Sequence, residues 1–213
     1  MARIAQPTHV VFDVGGVLIA HVRSWREAHE RTAVPWDDYY DTPEFFEATR
    51  DSVAQHMSGL ITPEEWCDTV SRLCNQRMTP AEVRAVLEAW MYDDYPGVTD
   101  VIDAIHDAGH VTATLSNANH VHWEQVLAAS DALNRVQHLH ASHFLGAVKP
   151  DRAIFAAFEQ ATRFPRESIL FFDDIEENVA GARAYGWRAE HIDHAGDTAA
   201  QLRAHLRRHG VFE

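Results

Sequence analysis

Thr8-His9-Val10-Val11-Phe12 runs directly into Asp13-Val14-Gly15-Gly16-Val17, and this junction decides the fold. The first five residues are β-branched, aromatic or otherwise strand-compatible, and the paired glycines that follow mark the turn that ends a strand. Asp13 therefore stands at a strand's carboxyl end. Working outward, Val111–Leu115 follows Gly109 and runs into Ser116-Asn117, and Ser168–Phe172 is followed by Asp173-Asp174. Arg188–Ile192 and a weaker Gln137–Ala141 complete an expected set of five strands. Helical patterns separate them at Thr99–Asp107, His120–Ala129, Arg152–Thr162, Glu176–Tyr185 and Asp197–Arg208. Strands alternating with helices predict an α/β fold with a Rossmann-like, parallel five-stranded sheet.

One interval breaks the alternation. Residues 24–95 carry only helical patterns: Trp25–Arg31, Trp36–Thr49, Pro63–Asn75 and Pro80–Met91. Thr62-Pro63-Glu64-Glu65 and Thr79-Pro80-Ala81-Glu82 each place Thr at the N-cap, Pro in the first turn and Glu soon after. So long a block is a poor crossover connection. It reads as a small all-α cap inserted after the first strand. The expected organisation is a core of residues 1–22 and 96–213 with a cap of 23–95. Ligands of such sheets bind beyond the carboxyl ends of the strands, so the cap would cover that site.

The 213 residues carry 18 Lys+Arg against 32 Asp+Glu, a formal charge of −14. That balance argues against nucleic acid and anionic membranes as partners. Cys67 and Cys74 fall on one helical face, as two reduced thiols rather than a disulfide framework. The 15 histidines are scattered; His138, His140 and His143 cluster without a further metal ligand beside them. No segment approaches the ~20 apolar residues of a membrane span, and the N-terminus lacks a cationic stretch followed by a long apolar run. A cytoplasmic location is expected.

The chemistry gathers at the strand ends. Asp13, Ser116, Asn117, Asp173 and Asp174 all arrive at one edge of a parallel sheet, with Lys149-Pro150 in a loop nearby. Each residue type has a task in phosphoryl transfer. Magnesium takes hard oxygen ligands, including one or two carboxylates. An aspartate can attack phosphorus and split one hard step into two easier ones. Charge on the equatorial oxygens calls for lysine, hydroxyl and amide donors already in place. Gly15-Gly16 lets the backbone approach the phosphate closely.

The set Val10–Val17 (VVFDVGGV), Thr114–Asn117 (TLSN), Lys149-Pro150 and Phe171–Asn178 (FFDDIEEN) resembles the four motifs of the haloacid dehalogenase superfamily. The branch it looks most like holds the bacterial α-glucose-1-phosphatase-like proteins and the N-terminal phosphatase domain of soluble epoxide hydrolase. The resemblance implies a magnesium-dependent phosphatase acting on a small phosphorylated metabolite, a sugar phosphate first among them, through an aspartyl-phosphate on Asp13. It implies Asp13, the Gly15 carbonyl and Asp174 as metal ligands, with Asp173 holding a metal-bound water or orienting Lys149. Gly15, Gly16, Ser116, Asn117 and Lys149 would hold the phosphate, and Asn178 would support the metal shell.

One position departs from that pattern. The family's phosphatases usually carry a second aspartate two residues after the nucleophile, as general acid and then base; here it is Gly15. Such catalysis contributes ~10²–10⁴-fold. Either the substrate has a good leaving group, or a histidine substitutes: His21, His120 or His122. Two further readings stay open, a metal-independent 2-haloacid dehalogenase and a non-catalytic phosphate-binding protein. The paired Asp173-Asp174 argues against the first of these. In the cap, Trp25, Trp36, Phe45, Phe46, Trp66 and Trp90 read as its core. Nothing in the sequence selects among Arg23, Arg26, Arg50 and His56 as substrate contacts.

Overall fold

The computed structural model describes residues 8–212; residues 1–7 and 213, the outer ends of the expected core segments, lie outside it. Among the described residues the strands are β1 (His9–Phe12), β2 (Ile19–His21), β3 (Met91–Asp94), β4 (Val111–Thr114), β5 (Ile169–Asp173) and β6 (Arg188–His191). A parallel sheet runs in the order β4-β1-β5-β6, and β2 pairs with β3 in a separate antiparallel ribbon. The fold is α/β, as the sequence predicts. Successive residues of the central strands face opposite ways. Val10, Phe12, Leu170 and Phe172 enter one apolar cluster with Ile102 and Leu202, while Val11, Ile169 and Phe171 enter another with Phe155 and Trp187. Helices cover both faces, which is why these strands read as unbroken apolar runs.

The expected fifth strand is not part of the sheet, which has four. Gln137–Ala141 does run beside β4, with His138 N donating to Thr112 O (3.1 Å) and Thr114 N to His138 O (2.9 Å), but it makes only isolated bridges. Threonine hydroxyls interrupt the ladder. His140 N donates to Thr114 Oγ1 at 3.0 Å and Gln137 N to Thr112 Oγ1 at 3.3 Å.

Between β2 and β3 lie the helices Trp25–Glu30, Pro43–Met57, Pro63–Leu73 and Pro80–Glu88. Thr62 and Thr79 form complete capping boxes with Glu65 and Glu82. The expected helix Trp36–Thr49 is corrected: a 3-10 turn, Asp38–Asp41, comes first, and a new helix starts at Pro43. Thr42 caps it, its hydroxyl accepting from Phe45 N at 3.3 Å, so Thr42-Pro43-Glu44 is a third instance of the same start signal. The all-α expectation is corrected as well. The last helix stops at Glu88, and Met91–Asp94 is extended because it pairs with β2. Val22 N donates to Trp90 O (3.0 Å) and Tyr95 N to Leu18 O (2.8 Å), closing both ends of the ribbon. The helices share an apolar cluster of their own, with Tyr40, Phe45, Trp66 and Met78 at its centre. Cys67 and Cys74 are buried there as free thiols. No helix among the described residues is long and apolar enough to cross a membrane.

One glycine fixes a contact that matters for the site. Gly181 lies inside the helix Glu176–Tyr185, where glycine costs ~1 kcal/mol relative to alanine. A Cβ there would stand 2.9 Å from both Pro150 Cβ and the Pro150 carbonyl oxygen. The helix is pressed against the Lys149-Pro150 loop, and only a glycine fits. Gly181→Ala is expected to lower stability by about 1–3 kcal/mol through overpacking, against its better helix propensity. Urea denaturation measures this; a more stable variant would mean that the loop yields freely.

Candidate active site

The sheet fixes the nucleophile position first. Asp13 N donates to Phe172 O at 2.7 Å, which carries the β1–β5 ladder one residue past the strand end. Its Oδ1 accepts from Val14 N at 2.7 Å. β5 delivers Asp173 and then Asp174. One carboxylate oxygen from each of Asp13, Asp173 and Asp174 lies within 4.8 Å of the others, and all three residues are buried.

Three like charges in a dry site repel strongly and need cations beside them. Lys149 is the central one. Its side chain is fully buried, with Nζ 2.6 Å from Asp173 Oδ2 and 3.1 Å from Asp13 Oδ1. Burial works against the Lys149 charge, but Asp13 and Asp173 overcome it and hold its pKa above the usual lysine range. Burial likewise pushes the Asp13 carboxyl up to about 7, with Lys149 pulling the other way. Arg23 Nη1 sits 2.7 Å from Asp174 Oδ2 and serves the third carboxylate. Net negative charge remains, and its oxygen donors suit a hard divalent cation.

Secondary contacts hold these groups still. Asp173 Oδ1 accepts from Ile175 N (2.9 Å) and Asn178 Nδ2 (3.0 Å). Asn117 clamps the backbone of Lys149: Lys149 N donates to Asn117 Oδ1 (2.8 Å), and Asn117 Nδ2 donates to Lys149 O (2.9 Å). Gly16 has φ +79, and a Cβ there would run into the Asp174 carboxylate. Its place is set by this close approach.

A cavity of about 170 Å³ opens over the carboxylates. Asp13, Gly15, Ser116, Asn117, Asp174 and Asn178 line its floor, and Met57, Trp90, Met91, Trp123 and Val126 form an apolar wall. Most sequence-predicted residues thus share one space. Lys149 and Asp173 stand behind Asp13, off the cavity surface, so Lys149 reaches the site through the carboxylates it bonds.

The three candidate histidines separate cleanly. His21 lines the cavity. Its Nδ1 donates to Val22 O at 2.7 Å, leaving Nε2 as the other ring nitrogen. Burial, reinforced by Arg23, holds its pKa below the ordinary histidine range. His122 also borders the cavity, but both its nitrogens are engaged: Nε2 donates to Leu87 O (2.8 Å), and Nδ1 accepts from Asn119 Nδ2 (3.1 Å). Burial pushes it down to about 4, so it is a neutral structural group. His120 is turned away, its ring packed on His143 (4.4 Å) and Phe144 (5.9 Å). His138 and His140 pack against Phe164 and Phe158 and form no metal cluster among the described residues.

The sequence gives no signal for Arg23 as the partner of Asp174, nor for Met57 and Trp123 as cavity wall. Arg23 and Met57 depend on how the segment between β2 and β3 folds back over the sheet, and Trp123 on how the helix His120–Ala129 packs against it. Gly181 carries a readable signal, a glycine inside a helical pattern.

The sequence model of the haloacid dehalogenase-like hydrolases matches residues 7–186, and the chain belongs to that family. Among curated proteins it is similar to Phosphatase MT3486 of Mycobacterium tuberculosis, 32% identical over 111 residues, 49% of this chain and 48% of that protein. It is also similar to Haloacetate dehalogenase H-2 of a Moraxella species, 26% identical over 62% of this chain and 61% of that one. The chain thus spans about half to three-fifths of the length of these curated relatives. Among solved structures, HAD family enzyme BT-2542 of Bacteroides thetaiotaomicron, in complex with magnesium and inorganic phosphate, superimposes with a TM-score of 0.75 at 21% identity, over 92% of this chain and 98% of that one.

Lys149→Met leaves Asp13 and Asp173 buried without their shared cation. Stability is expected to fall by about 3–5 kcal/mol, and Asp173→Asn in the same background should recover part of it. Denaturant titration of the single and double variants checks this. A single-variant loss under about 1 kcal/mol would mean that Lys149 is not what holds the carboxylates together.

Proposed function

We propose that this chain is a magnesium-dependent phosphatase that removes phosphate from a small phosphorylated metabolite through an aspartyl-phosphate on Asp13. The observation that carries the reading is the buried convergence of Asp13, Asp173 and Asp174 within 4.8 Å, with Lys149 bonded to two of them, at the floor of a cavity. A dehalogenase attacking carbon needs one carboxylate and no metal, so the other two would be buried at a cost without a use.

Asp13 and Asp174 on the cavity floor, with the Gly15 carbonyl, would hold Mg²⁺, which when bound supplies charge neutralisation at the phosphoryl oxygens. The Bacteroides enzyme, which has the same fold, forms a complex with magnesium and inorganic phosphate, and this supports a metal-assisted reading in general terms. Asp13 is the nucleophile: one carboxylate oxygen forms a bond to phosphorus as the bond to the leaving oxygen breaks. The Ser116 hydroxyl and the Asn117 backbone N–H hold phosphoryl oxygens. Asp173 orients Lys149, and Asn178 steadies Asp173 rather than meeting the metal itself. Lys149 opposes the effect of burial on the Asp13 carboxyl and holds that group in place. On this reading residues 23–95 act as a cap over a core made of the rest.

The wall favours a leaving group with an apolar face. Trp90 and Trp123 accept an aryl ring or the C–H face of a sugar equally well, so sugar phosphates and aryl phosphates are the first substrates to try.

The test is phosphate release from a panel of phosphate esters with Mg²⁺ and after chelation. Turnover is expected only with the metal, and Asp13→Asn should reduce it by about 10⁴-fold or more with the fold unchanged. Activity that survives chelation, with halide released from a 2-haloacid, would replace this reading with the dehalogenase one.

A further inference from the structure

Gly15 and His21 occupy one space between them. A Cβ built on Gly15 would lie 2.7 Å from His21 Cδ2 and 3.1 Å from His21 Nε2. The imidazole thus stands where any side chain at position 15 would begin. The glycine's backbone is not the reason for its presence, because Gly15 is absent from the left-handed glycines of the described residues, where Gly16 is found. What the position requires is room for the ring. His21 ends β2 just where the ribbon's register shifts, and that shift sits at the rim of the cavity. Its Nδ1 must be the protonated nitrogen toward Val22, because a carbonyl can only accept. Nε2 is then the unprotonated ring nitrogen, 3.1 Å from where a Cβ at position 15 would stand, on a side chain that lines the same cavity as Asp13. Neither His120 nor His122 offers a nitrogen there.

We infer that His21 supplies from the cap's root the proton acceptor that position 15 lacks: Nε2 takes the proton of the water that opens the aspartyl phosphate. The inference rests on the phosphatase reading above and deepens it. In this step the water oxygen bonds to phosphorus, the phosphorus–oxygen bond to Asp13 breaks, and the electron pair returns to the Asp13 carboxylate. The water's proton moves to Nε2 and passes from there to solvent as phosphate leaves. Formation of the aspartyl phosphate from a substrate with a stabilised leaving group does not need His21. The two half-reactions therefore respond differently to its loss.

Rapid-quench kinetics with p-nitrophenyl phosphate and Mg²⁺ separates them, on wild type, His21→Ala, His21→Asn, Gly15→Asp and the double variant Gly15→Asp/His21→Ala. The asparagine keeps a donor toward Val22 O but cannot serve as a base, so it covers the case in which the alanine variant misfolds. Both His21 variants are expected to release one nitrophenolate per site in a burst close to the wild-type rate. Their steady state should then fall by roughly 10²–10⁴-fold, with phosphate trapped on Asp13 in the acid quench. Gly15→Asp alone should also be slow, since its Cβ and the ring cannot coexist as they stand. The double variant should lose the burst and regain most of the turnover. Wild-type steady-state rates in a folded His21→Asn, or a slow His21→Ala without trapped phosphate, would overturn the role of His21 and leave the phosphatase reading standing. A wild-type protein that never carries phosphate on Asp13 would overturn both.

Discussion

Carboxylates that must be buried together set the terms for this structure. Asp13 and Asp173 end adjacent strands, so the sheet itself forces them side by side, and Asp174 follows within the same turn. Their repulsion is relieved from two directions. Lys149 enters from beneath, from the loop ahead of the helix Arg152–Thr162, and Arg23 enters from above, from the segment just past β2. Much of the surrounding detail serves the first of these: the Asn117 amide holds the lysine's backbone, Asn178 holds its partner carboxylate, and Gly181 lets a helix lie against Pro150. None of these residues need touch a substrate to matter.

The same arrangement divides labour between the two sides of the cavity. The sheet side is polar and rigid, built from strand ends whose backbone hydrogen bonds leave little freedom. The opposite side is apolar and comes from Met57, Trp123 and Val126 on helices and from Trp90 just before β3. Where an apolar wall excludes water, electrostatic interactions beside it strengthen. His21 belongs to neither side. It sits at the joint between them, and its ring and the bare backbone of Gly15 are complementary in shape.

The sequence was most legible where one residue type has one physical use. Apolar runs ending in Asp, Ser-Asn or Asp-Asp located three of the four sheet strands and most of the site, because strand ends in a parallel sheet share an edge. Thr-Pro starts followed closely by Glu located two helices of the insertion, and a third, at Thr42, carried the same signal within a longer apparent pattern. Reading failed where two structures satisfy one composition. Gln137–Ala141 looks like a strand and lies alongside β4, but whether threonine hydroxyls replace its ladder bonds depends on side-chain geometry. Met91–Asp94 looks like the tail of a helix and becomes a strand because β2 is beside it. The choice among three histidines was likewise undecidable in sequence, since Leu87 and His143, which engage the rings of His122 and His120, are tertiary neighbours, and the approach of the His21 ring to Gly15 depends on how the chain turns back between them.

The ribbon of β2 and β3 has a consequence for how such a chain can change. Val22 and Trp90 are joined by a backbone hydrogen bond at its far end, so the insertion leaves and returns at nearly one point. The entropy of bringing two distant parts of the chain together is met by the ribbon and not by the helices. Loop closure varies only slowly with length, about 0.6 kcal/mol per doubling. A longer, shorter or differently folded segment could therefore be spliced in above Val22 and Trp90 with little penalty to the sheet below. His21 lies on the sheet side of that splice point and Met57 and Trp90 on or beyond it, so an exchange would replace that part of the cavity wall while leaving His21, Trp123 and Val126 in place.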